Sequence, residues 1–332
     1  GMFILVDDEK RENEGDLVVS TSDTNAKNIN FMAKYGRGLI CLALDSLQAK
    51  RLNLSLMSPV NQSRNKTAFT VSIEAKKGIT TGISAKDRAR TIRIASKKNV
   101  NKKDIVSPGH VFPLVARNGG VLERAGHTEA SVDISKLANL NPSSVICEVM
   151  NEDGRMARLH DLFKFSKKHN IKLASIEDLI SYRLKYEKLI SRSSHKIIKL
   201  NKNSKLNVYH YKNKLESNVN FAISKGKLDK KKSIPVRVLS YKIKKKNVLN
   251  NTKVKKSLKY LSRFKNFLLL VINNKNNEKK DNNIYTLRYY GIGAQIIKDL
   301  KVKNMILISR SKKKIIGLEG FGIKIKKQII IK

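Results

Sequence analysis

An acidic stretch near the N-terminus contains the residues best suited to bind a metal ion. Six carboxylates fall within the run Asp7-Asp8-Glu9-Lys10-Arg11-Glu12-Asn13-Glu14-Gly15-Asp16, in a chain whose formal net charge is +42. Carboxylates packed this closely repel one another, so they tend to bind protons or cations. A solvated acidic turn would explain the run if it stood alone. Segments further along the chain favour a site instead.

Two histidines in glycine-bearing segments and one glutamate add candidates for acid–base chemistry. His110 falls in residues 107–114, which predict a proline-punctuated turn, and His127 falls in residues 119–133. A single histidine is more often structural, but these are two of only six in the chain. Glu148 lies in residues 143–150, which predict a buried strand, and such a glutamate could move a proton. A strand-end glutamate facing water is an equally good interpretation.

Two further segments offer groups that bind phosphate. Arg124, beside His127 and Thr128, supplies a guanidinium for phosphate, an imidazole for a metal and a hydroxyl donor. Residues 78–92 combine glycines, hydroxyls and arginines before a predicted helix, which is typical of a phosphate-binding surface. A polar loop with a helix cap explains residues 78–92 equally well.

The elements that must position these residues follow from hydrophobic patterns. Met2–Val6 predicts a strand buried on both faces, and open α/β sheets place ligands at the C-terminal ends of such strands. If the acidic stretch remains extended, Glu12, Glu14 and Asp16 project to one side. The other predicted strands are residues 39–44 and 68–75, and the predicted helices are residues 26–35, 86–94, 161–170 and 176–183.

Length and composition limit the classes of protein. The 332 residues are enough for two domains, and no apolar run approaches the roughly 18 residues of a membrane span. With only Cys41 and Cys147, and no C-x-x-C, the chain predicts neither a disulfide framework nor a cysteine-based zinc site. We therefore expect a reducing, cytoplasmic location.

The positive charge is concentrated in the second half of the chain. Residues 199–332 contain 36 Lys and Arg against 6 Asp and Glu. Such an excess ordinarily indicates nucleic acid or an anionic membrane surface. Compositional drift toward Lys, Asn and Ile is the favoured explanation, because aromatic RNA-binding patterns are missing. A nucleic-acid-binding protein is kept as an alternative of lower rank.

We predict a first domain over residues 1–198 and a second over residues 199–332, with a polar linker at residues 191–205. In the second domain the patterns predict a strand at 266–272, a polar loop to 283, a helix within 287–300, a strand at 303–309, a turn at 317–322 and a last strand.

Residues 1–185 resemble the 3,4-dihydroxy-2-butanone 4-phosphate synthase family. The resemblance lies in residues 7–18, 36–44, 69–92, 108–133 and 145–158, in the family's order. It implies an α/β (α+β) domain with a mixed sheet flanked by helices. The chain opens in mid-pattern at Gly1-Met2, so we expect that the helix normally preceding the first strand is missing.

The resemblance also implies an activity and a set of site residues. The family converts D-ribulose 5-phosphate to the butanone phosphate and formate, with two Mg²⁺ ions for which Mn²⁺ is expected to substitute. Glu12 and His127 match the metal ligands, and His110 and Glu148 match the positions required for catalysis. The matching substrate-contacting residues are Arg11, Glu12, Asp16, Arg124, Ala125, Gly126, His127, Thr128 and Glu148. A homodimer with sites near the interface is implied as well.

The tail of the chain resembles GTP cyclohydrolase II, with departures that remove its chemistry. That family uses a three-cysteine zinc site, and this chain has no cysteine after Cys147. Arg288 matches an Asp-x-Arg-x-Tyr motif, but Thr286 stands at the aspartate position. We therefore expect no zinc and interpret the second half as a smaller, degenerate α/β hydrolase-like domain. A bifunctional enzyme is the alternative.

Overall fold

A computed structural model describes residues 1–9, 11–201, 204–214, 219–243, 248–273, 283–311, 318 and 321–331. Of residues 200, 201, 204 and 283–290 only the backbone is described. The chain forms two compact units, Gly1–Ile180 and Ser181–Lys332. Within the described residues, no helix is long and apolar enough to cross a membrane.

The first unit contains a seven-stranded mixed sheet. Its strands are β1 (Phe3–Val6), β2 (Gly15–Ser20), β3 (Cys41–Leu44), β4 (Ile73–Ala75), β5 (Ile105–Val115), β6 (Ser143–Glu148) and β7 (Lys172–Ser175), in the order β4-β5-β3-β6-β2-β1-β7. The β3–β5 and β1–β7 pairs are parallel and the other pairs are antiparallel. The sheet is therefore mixed, as the sequence analysis expected.

Helices accompany this sheet along the chain. They are α1 (Ala26–Phe31), followed by a π-helical turn at Met32–Gly36, then α2 (Ser46–Arg51), α3 (Ala85–Ala95), α4 (His127–Leu137), α5 (Leu159–His169) and α6 (Ile176–Tyr186). Apolar side chains from strands and helices form one core that includes Ile4, Leu17, Leu42, Ile92 and Val145. The helices predicted at 26–35, 86–94, 161–170 and 176–183 are confirmed, with ends that differ by a few residues.

The first strand behaves as its apolar run predicts. Ile4, Leu5 and Val6 are buried, because β1 lies between β2 and β7 and is covered on both faces. The predicted strand at 39–44 is confirmed as β3. The alternating pattern at 68–75 yields only the short strand β4, with isolated bridges at Phe69 and Thr70.

One condition considered for the sequence is not met, and one local prediction is wrong. The acidic stretch does not remain extended, because the carbonyl of Asp8 accepts the N–H groups of Arg11 and Asn13 between β1 and β2, and Asn13 has a φ of 54°. Residues 107–114 do not form a turn but belong to β5. In that strand the pairing with β4 jumps from Val106 to Val111, so residues 107–110 form a bulge. Proline and glycine are compatible with a bulge as well as with a turn, so their presence did not distinguish the two.

The second unit contains another seven-stranded mixed sheet. Its strands are β8 (Ile190–Asn201), β9 (Ser204–Asn213), β10 (Val219–Lys225), β11 (Ser233–Tyr241), β12 (Phe267–Asn273), β13 (Asn304–Ser309) and β14 (Lys324–Ile330), in the order β14-β13-β11-β12-β10-β9-β8. The pairs β14–β13, β13–β11 and β11–β12 are parallel. The pairs β12–β10, β10–β9 and β9–β8 are antiparallel. The described helices are α7 (Thr252–Leu261) and α8 (Asn283–Asp299).

The predicted linker at 191–205 is wrong. These residues form β8 and the start of β9, and the two compact units divide between Ile180 and Ser181. The strands predicted at 266–272 and 303–309, the helix within 287–300 and the last strand are confirmed. The polar loop before residue 283, most of the turn at 317–322, and the side chains of Thr286 and Arg288 lie outside the described residues.

Candidate active site

Asp7 organises the acidic turn that follows β1. Its side chain is fully buried and accepts hydrogen bonds from the backbone N–H of Glu12 at 3.2 Å and of Glu14 at 2.9 Å. The guanidinium of Arg11 donates to the same carboxylate at 2.7 Å. Arg158 adds a hydrogen bond to the backbone carbonyl of Glu12 at 2.7 Å. The turn is thus held in one shape, which fixes where the Glu12 carboxylate lies.

Glu12 and His127 meet at the centre of the site. The Glu12 carboxylate lies 3.7 Å from Nδ1 of His127, and it also accepts hydrogen bonds from Arg11 and Asn65. Ligand atoms of Asp7, Glu12 and His127 all lie within 4.8 Å of one another. Two carboxylates and an imidazole, drawn from distant parts of the chain, therefore face one small space.

The charges in this space are strongly coupled. Burial by itself would raise the pKa of Glu12, but the adjacent His127 imidazole and the charge of Arg11 lower that pKa to about 2. Burial raises the pKa of Asp16 to about 7. Burial opposes the charge of the His127 imidazolium, yet Asp16 and Glu12 together raise its pKa to about 9. Without a metal ion, His127 is therefore held as a cation by its two carboxylate neighbours.

Asp16 and Glu148 extend the site along the sheet. Asp16 is buried, lies 3.8 Å from Nδ1 of His127, and is the register partner of Glu148 across β2 and β6. The Glu148 carboxylate accepts the backbone N–H of Leu39 at 2.9 Å. A side chain at Gly38 would overlap Glu148, so glycine is needed for this approach. Glu148 thus ends β6, as one interpretation of the sequence expected, but it is half-buried and accepts a backbone hydrogen bond rather than facing only water.

Arg124 is tied to the protein on every side. It donates to the carboxylate of Glu129 at 2.6 Å, to Oγ1 of Thr67 at 2.9 Å and to the carbonyl of Asn65 at 3.1 Å. Asn65 also donates to Glu12, so one loop connects Arg124 to the central cluster. In this structure Arg124 therefore positions that loop.

The N-terminus of α4 lies beside the cluster. Its N-cap is Gly126, which has no side chain to accept the N–H groups of the first turn. Ala125 is half-buried, and His127 and Thr128 are buried in that first turn. A helix N-terminus with free N–H groups attracts anions, and this one begins at a cluster residue.

His110 lies at the same end of the sheet as Glu148, but the two side chains have different partners. Cys41 of β3 is the register partner of Phe112 in β5 and of Ile146 in β6. His110 lies two residues before Phe112, and Glu148 lies two residues after Ile146. One strand separates them, which corresponds to a backbone spacing of roughly 10 Å. The imidazole of His110 pairs with Glu74 of β4 and is 44% exposed.

Two buried atoms show that the site suits a metal ion. Nε2 of His127 and Oδ1 of Asp16 are buried and have no hydrogen-bond partner in the described part of the chain. An unpartnered buried polar atom is costly unless a ligand or water satisfies it. Carboxylate oxygens are the ligands that Mg²⁺ prefers, and imidazole is a less common addition. The donor set therefore fits a divalent cation.

A family model for 3,4-dihydroxy-2-butanone 4-phosphate synthase matches residues 1–182 of the chain. The chain belongs to this family. It is 41% identical to the 3,4-dihydroxy-2-butanone 4-phosphate synthase of Photobacterium phosphoreum, over 98% of this chain and 94% of that protein. It is also 41% identical to riboflavin biosynthesis protein RibBA of Aquifex aeolicus, over 100% of this chain and 89% of that protein.

Solved structures extend the similarity to both units. The crystal structure of RibBX, a two-domain 3,4-dihydroxy-2-butanone 4-phosphate synthase from A. baumannii, superposes with a TM-score of 0.84 at 37% identity, over 99% of this chain and 96% of that one. A synthase in complex with two magnesium ions has a TM-score of 0.54 at 36% identity, over 56% of this chain and 92% of that one. A GTP cyclohydrolase II model matches residues 260–330.

Sequence reasoning missed the residues that hold the site residues in place. Glu74, Asn65 and Glu129 contact His110, Glu12 and Arg124 respectively, and nothing in their local sequence indicates these long-range contacts.

The phosphate-binding interpretation of residues 78–92 is also not favoured. Asp87 accepts the backbone N–H of Thr80 and Gly82, each at 3.2 Å, and Ser84 caps α3. The N–H groups and the Thr80 hydroxyl thus bind Asp87 within the loop itself, which favours the interpretation as a helix cap.

Proposed function

We propose that this chain converts D-ribulose 5-phosphate to 3,4-dihydroxy-2-butanone 4-phosphate and formate, a step of riboflavin biosynthesis. Membership of the synthase family supports this proposal, and one observation in the site carries it. Nδ1 of buried His127 lies beside the carboxylates of Glu12 and Asp16, and its Nε2 has no hydrogen-bond partner among the described residues. A ketose rearrangement needs such a centre, because negative charge develops on adjacent oxygens.

Glu12 and His127 are the proposed ligands of Mg²⁺, with Mn²⁺ as a substitute. A bound divalent cation would supply Lewis-acid stabilisation to developing negative charge on substrate oxygens. The residues of the chain prepare this site before any ion enters. Asp7 fixes the turn that carries Glu12, and Asn65 holds the Glu12 carboxylate from the opposite side.

Proton transfer is proposed for Glu148 and His110. Glu148 is half-buried and held by the N–H of Leu39, and His110 projects from the bulge of β5. Asp16, whose pKa is raised to about 7 by burial, faces the same space and is proposed to contact substrate. Side chains placed in this way are suited to enolisation, which needs a base that changes protonation near neutral pH.

Substrate binding is proposed for the acidic turn and the start of α4. Arg11 lies against Glu12, and Arg124 anchors the loop that contacts Glu12. The segment from Ala125 to Thr128 is proposed to bind the phosphate through N–H groups of the first turn of α4, because Gly126 provides no side-chain cap there.

The second unit is proposed to be a degenerate hydrolase-like domain rather than a second enzyme. The chain has no cysteine after Cys147, so the three-cysteine zinc site cannot form there. The Photobacterium relative, which matches 98% of this chain, carries the synthase name alone. We also propose that the protein is a homodimer, that it is cytoplasmic and that it does not bind nucleic acid.

One assay tests the proposed function. The purified chain is incubated with D-ribulose 5-phosphate and Mg²⁺, and formate is measured. We expect formate release that stops in excess EDTA and returns when Mg²⁺ is restored. A folded chain that releases no formate under these conditions, or that is fully active in EDTA, would contradict the activity or the metal dependence respectively.

A further inference from the structure

Glu74 and His110 form a carboxylate–imidazole pair that the sequence did not indicate. The carboxylate of Glu74 contacts Nδ1 of His110, and the Glu74 side chain is 15% exposed while His110 is 44% exposed. Glu74 is therefore the less exposed member of the pair. We propose that Glu74 is a positioning residue, which acts through His110 and aims the imidazole at the substrate.

The backbone around the pair is shaped to bring the two side chains together. His110 belongs to the bulge of residues 107–110, and a bulge re-aims a side chain that a regular strand would place elsewhere. Ser72 holds this bulge in place, because its Oγ accepts the N–H of Gly109 at 3.1 Å and its carbonyl accepts the hydroxyl of Ser107 at 2.6 Å.

Two glycines make room for the contact. A side chain at Gly109 would overlap the backbone of Ile73 and Glu74, so only glycine lets the bulge approach β4 this closely. Gly82 has a φ of 89°, and a side chain there would overlap the Glu74 carboxylate. The pair thus occupies a space from which side chains are excluded on two sides, which favours a single arrangement of the imidazole.

The chemistry of the pair determines which nitrogen of His110 is available. An ionised carboxylate only accepts hydrogen bonds, so Nδ1 of His110 must carry a proton in this contact. When the ring is neutral, its lone pair then lies on Nε2, the nitrogen remote from Glu74. An imidazole fixed in this way is ready to accept a proton through Nε2, which is how a third group orients the base in other acid–base pairs.

The kinetic test of this inference rests on the proposed function, whereas the NMR test of the His110 tautomer does not. In protein with ¹⁵N-labelled histidine, the ring nitrogens of His110 are assigned by their loss in His110→Ala. We expect a protonated Nδ1 in the wild-type protein at a pH where the ring is neutral. Glu74→Ala should shift the ring toward the Nε2–H form, and Glu74→Gln should retain the Nδ1–H form because its amide oxygen still accepts a hydrogen bond.

Kinetics then separate positioning from a merely structural role. Glu74→Ala should lower kcat for formate release by roughly 10- to 100-fold, the usual effect of removing a residue that orients a catalytic group, with KM changed by less than about 2-fold. In the His110→Ala background the same substitution should change kcat by less than about 2-fold, because the two residues act as one unit.

Asp87→Asn is the matched control. Asp87 binds Thr80 and Gly82 of the loop beside Glu74, so this change disturbs the loop but should leave the His110 tautomer unchanged. An Nε2–H form in the wild-type protein, or equal losses of kcat from Glu74→Ala in both backgrounds, would overturn the inference. A wild-type chain that shows the Nδ1–H form but releases no formate would contradict the proposed function alone.

Discussion

Asp16 and Glu148 lie directly opposite each other on the antiparallel strands β2 and β6. Register partners project from the same face of a sheet, so two carboxylates from distant parts of the chain share one space. Asp16 is buried beside His127, whereas the Glu148 carboxylate is held by the N–H of Leu39. Their different surroundings suit them to different tasks.

Glu148→Gln should lower turnover by roughly 10²-fold or more, because the amide keeps the size of the side chain but cannot transfer a proton as a carboxylate does. Binding of ribulose 5-phosphate should persist, and both kcat and substrate affinity are measured. Glu152→Gln is the control, since the side chain of Glu152 is 85% exposed. Near-normal turnover of Glu148→Gln would show that its catalytic assignment is wrong.

Glu12→Gln should weaken Mg²⁺ binding, because a neutral amide is a poor ligand for a hard cation. Titration calorimetry with Mg²⁺ alone measures the affinity without reference to activity. Glu9→Gln is the matched control, because Glu9 is an exposed carboxylate of the same turn and lies outside the cluster of Asp7, Glu12 and His127. Equal losses of affinity in the two variants would show that only the general negative charge of the turn matters.

The metal-free protein should lose stability as the pH rises from about 6.5 to about 9. The pKa of His127 is raised from 6.5 to about 9, so its stabilising contribution is complete below 6.5 and is lost above 9. The contribution is on the order of 3 kcal/mol, from 1.36 kcal/mol per pKa unit. Thermal unfolding in EDTA across this range tests the effect. His127→Gln should flatten the pH dependence, and an unchanged profile would contradict the prediction.

Arg124→Ala should destabilise the first unit by about 3 kcal/mol, since it leaves the Glu129 carboxylate, which is 2% exposed, without its cationic partner. Urea denaturation measures the change. Arg155→Ala removes an arginine that is 82% exposed and pairs with Asp153, and it should leave the denaturation midpoint unchanged. Similar midpoints for the two variants would contradict a structural role for Arg124.

The second unit should neither bind zinc nor release formate from GTP. His195 stacks on Tyr209 and bonds Asn207, and His210 packs against Phe221, so these imidazoles are already engaged. A catalytic zinc site needs about three protein ligands of this kind. Metal analysis and a formate assay on GTP decide the matter, with ribulose 5-phosphate as the positive control for formate. Stoichiometric zinc together with GTP-dependent formate would favour the bifunctional alternative.

The sequence by itself determined several strands and helices, among them β1, β3 and β6, but it did not indicate the buried strand β2 or the helix α4. Met2–Val6, residues 39–44 and residues 143–150 have apolar side chains in short runs, and burial of such runs is favourable in almost any tertiary context. The site residues were named through family resemblance, which places Glu12, His127 and Glu148 in one site although they lie far apart in sequence. The turn between β1 and β2 could not be predicted in this way, because the acidic run carries no local signal that distinguishes a turn from an extended segment. The bulge at 107–110 could not be predicted either, because proline and glycine suit turns and bulges alike.

Only the tertiary structure decided which groups hold the site residues in place. Asp7 accepts backbone N–H groups of the acidic turn, and Asn65 donates a hydrogen bond to Glu12. Glu74 pairs with His110. All of these contacts depend on strand register and loop closure. It also decided protonation, because burial beside opposite charges gives Glu12 a pKa of about 2 and His127 a pKa of about 9. Pattern reasoning cannot supply these results, since hydrogen bonding and desolvation depend on distances that the chain acquires only when it folds.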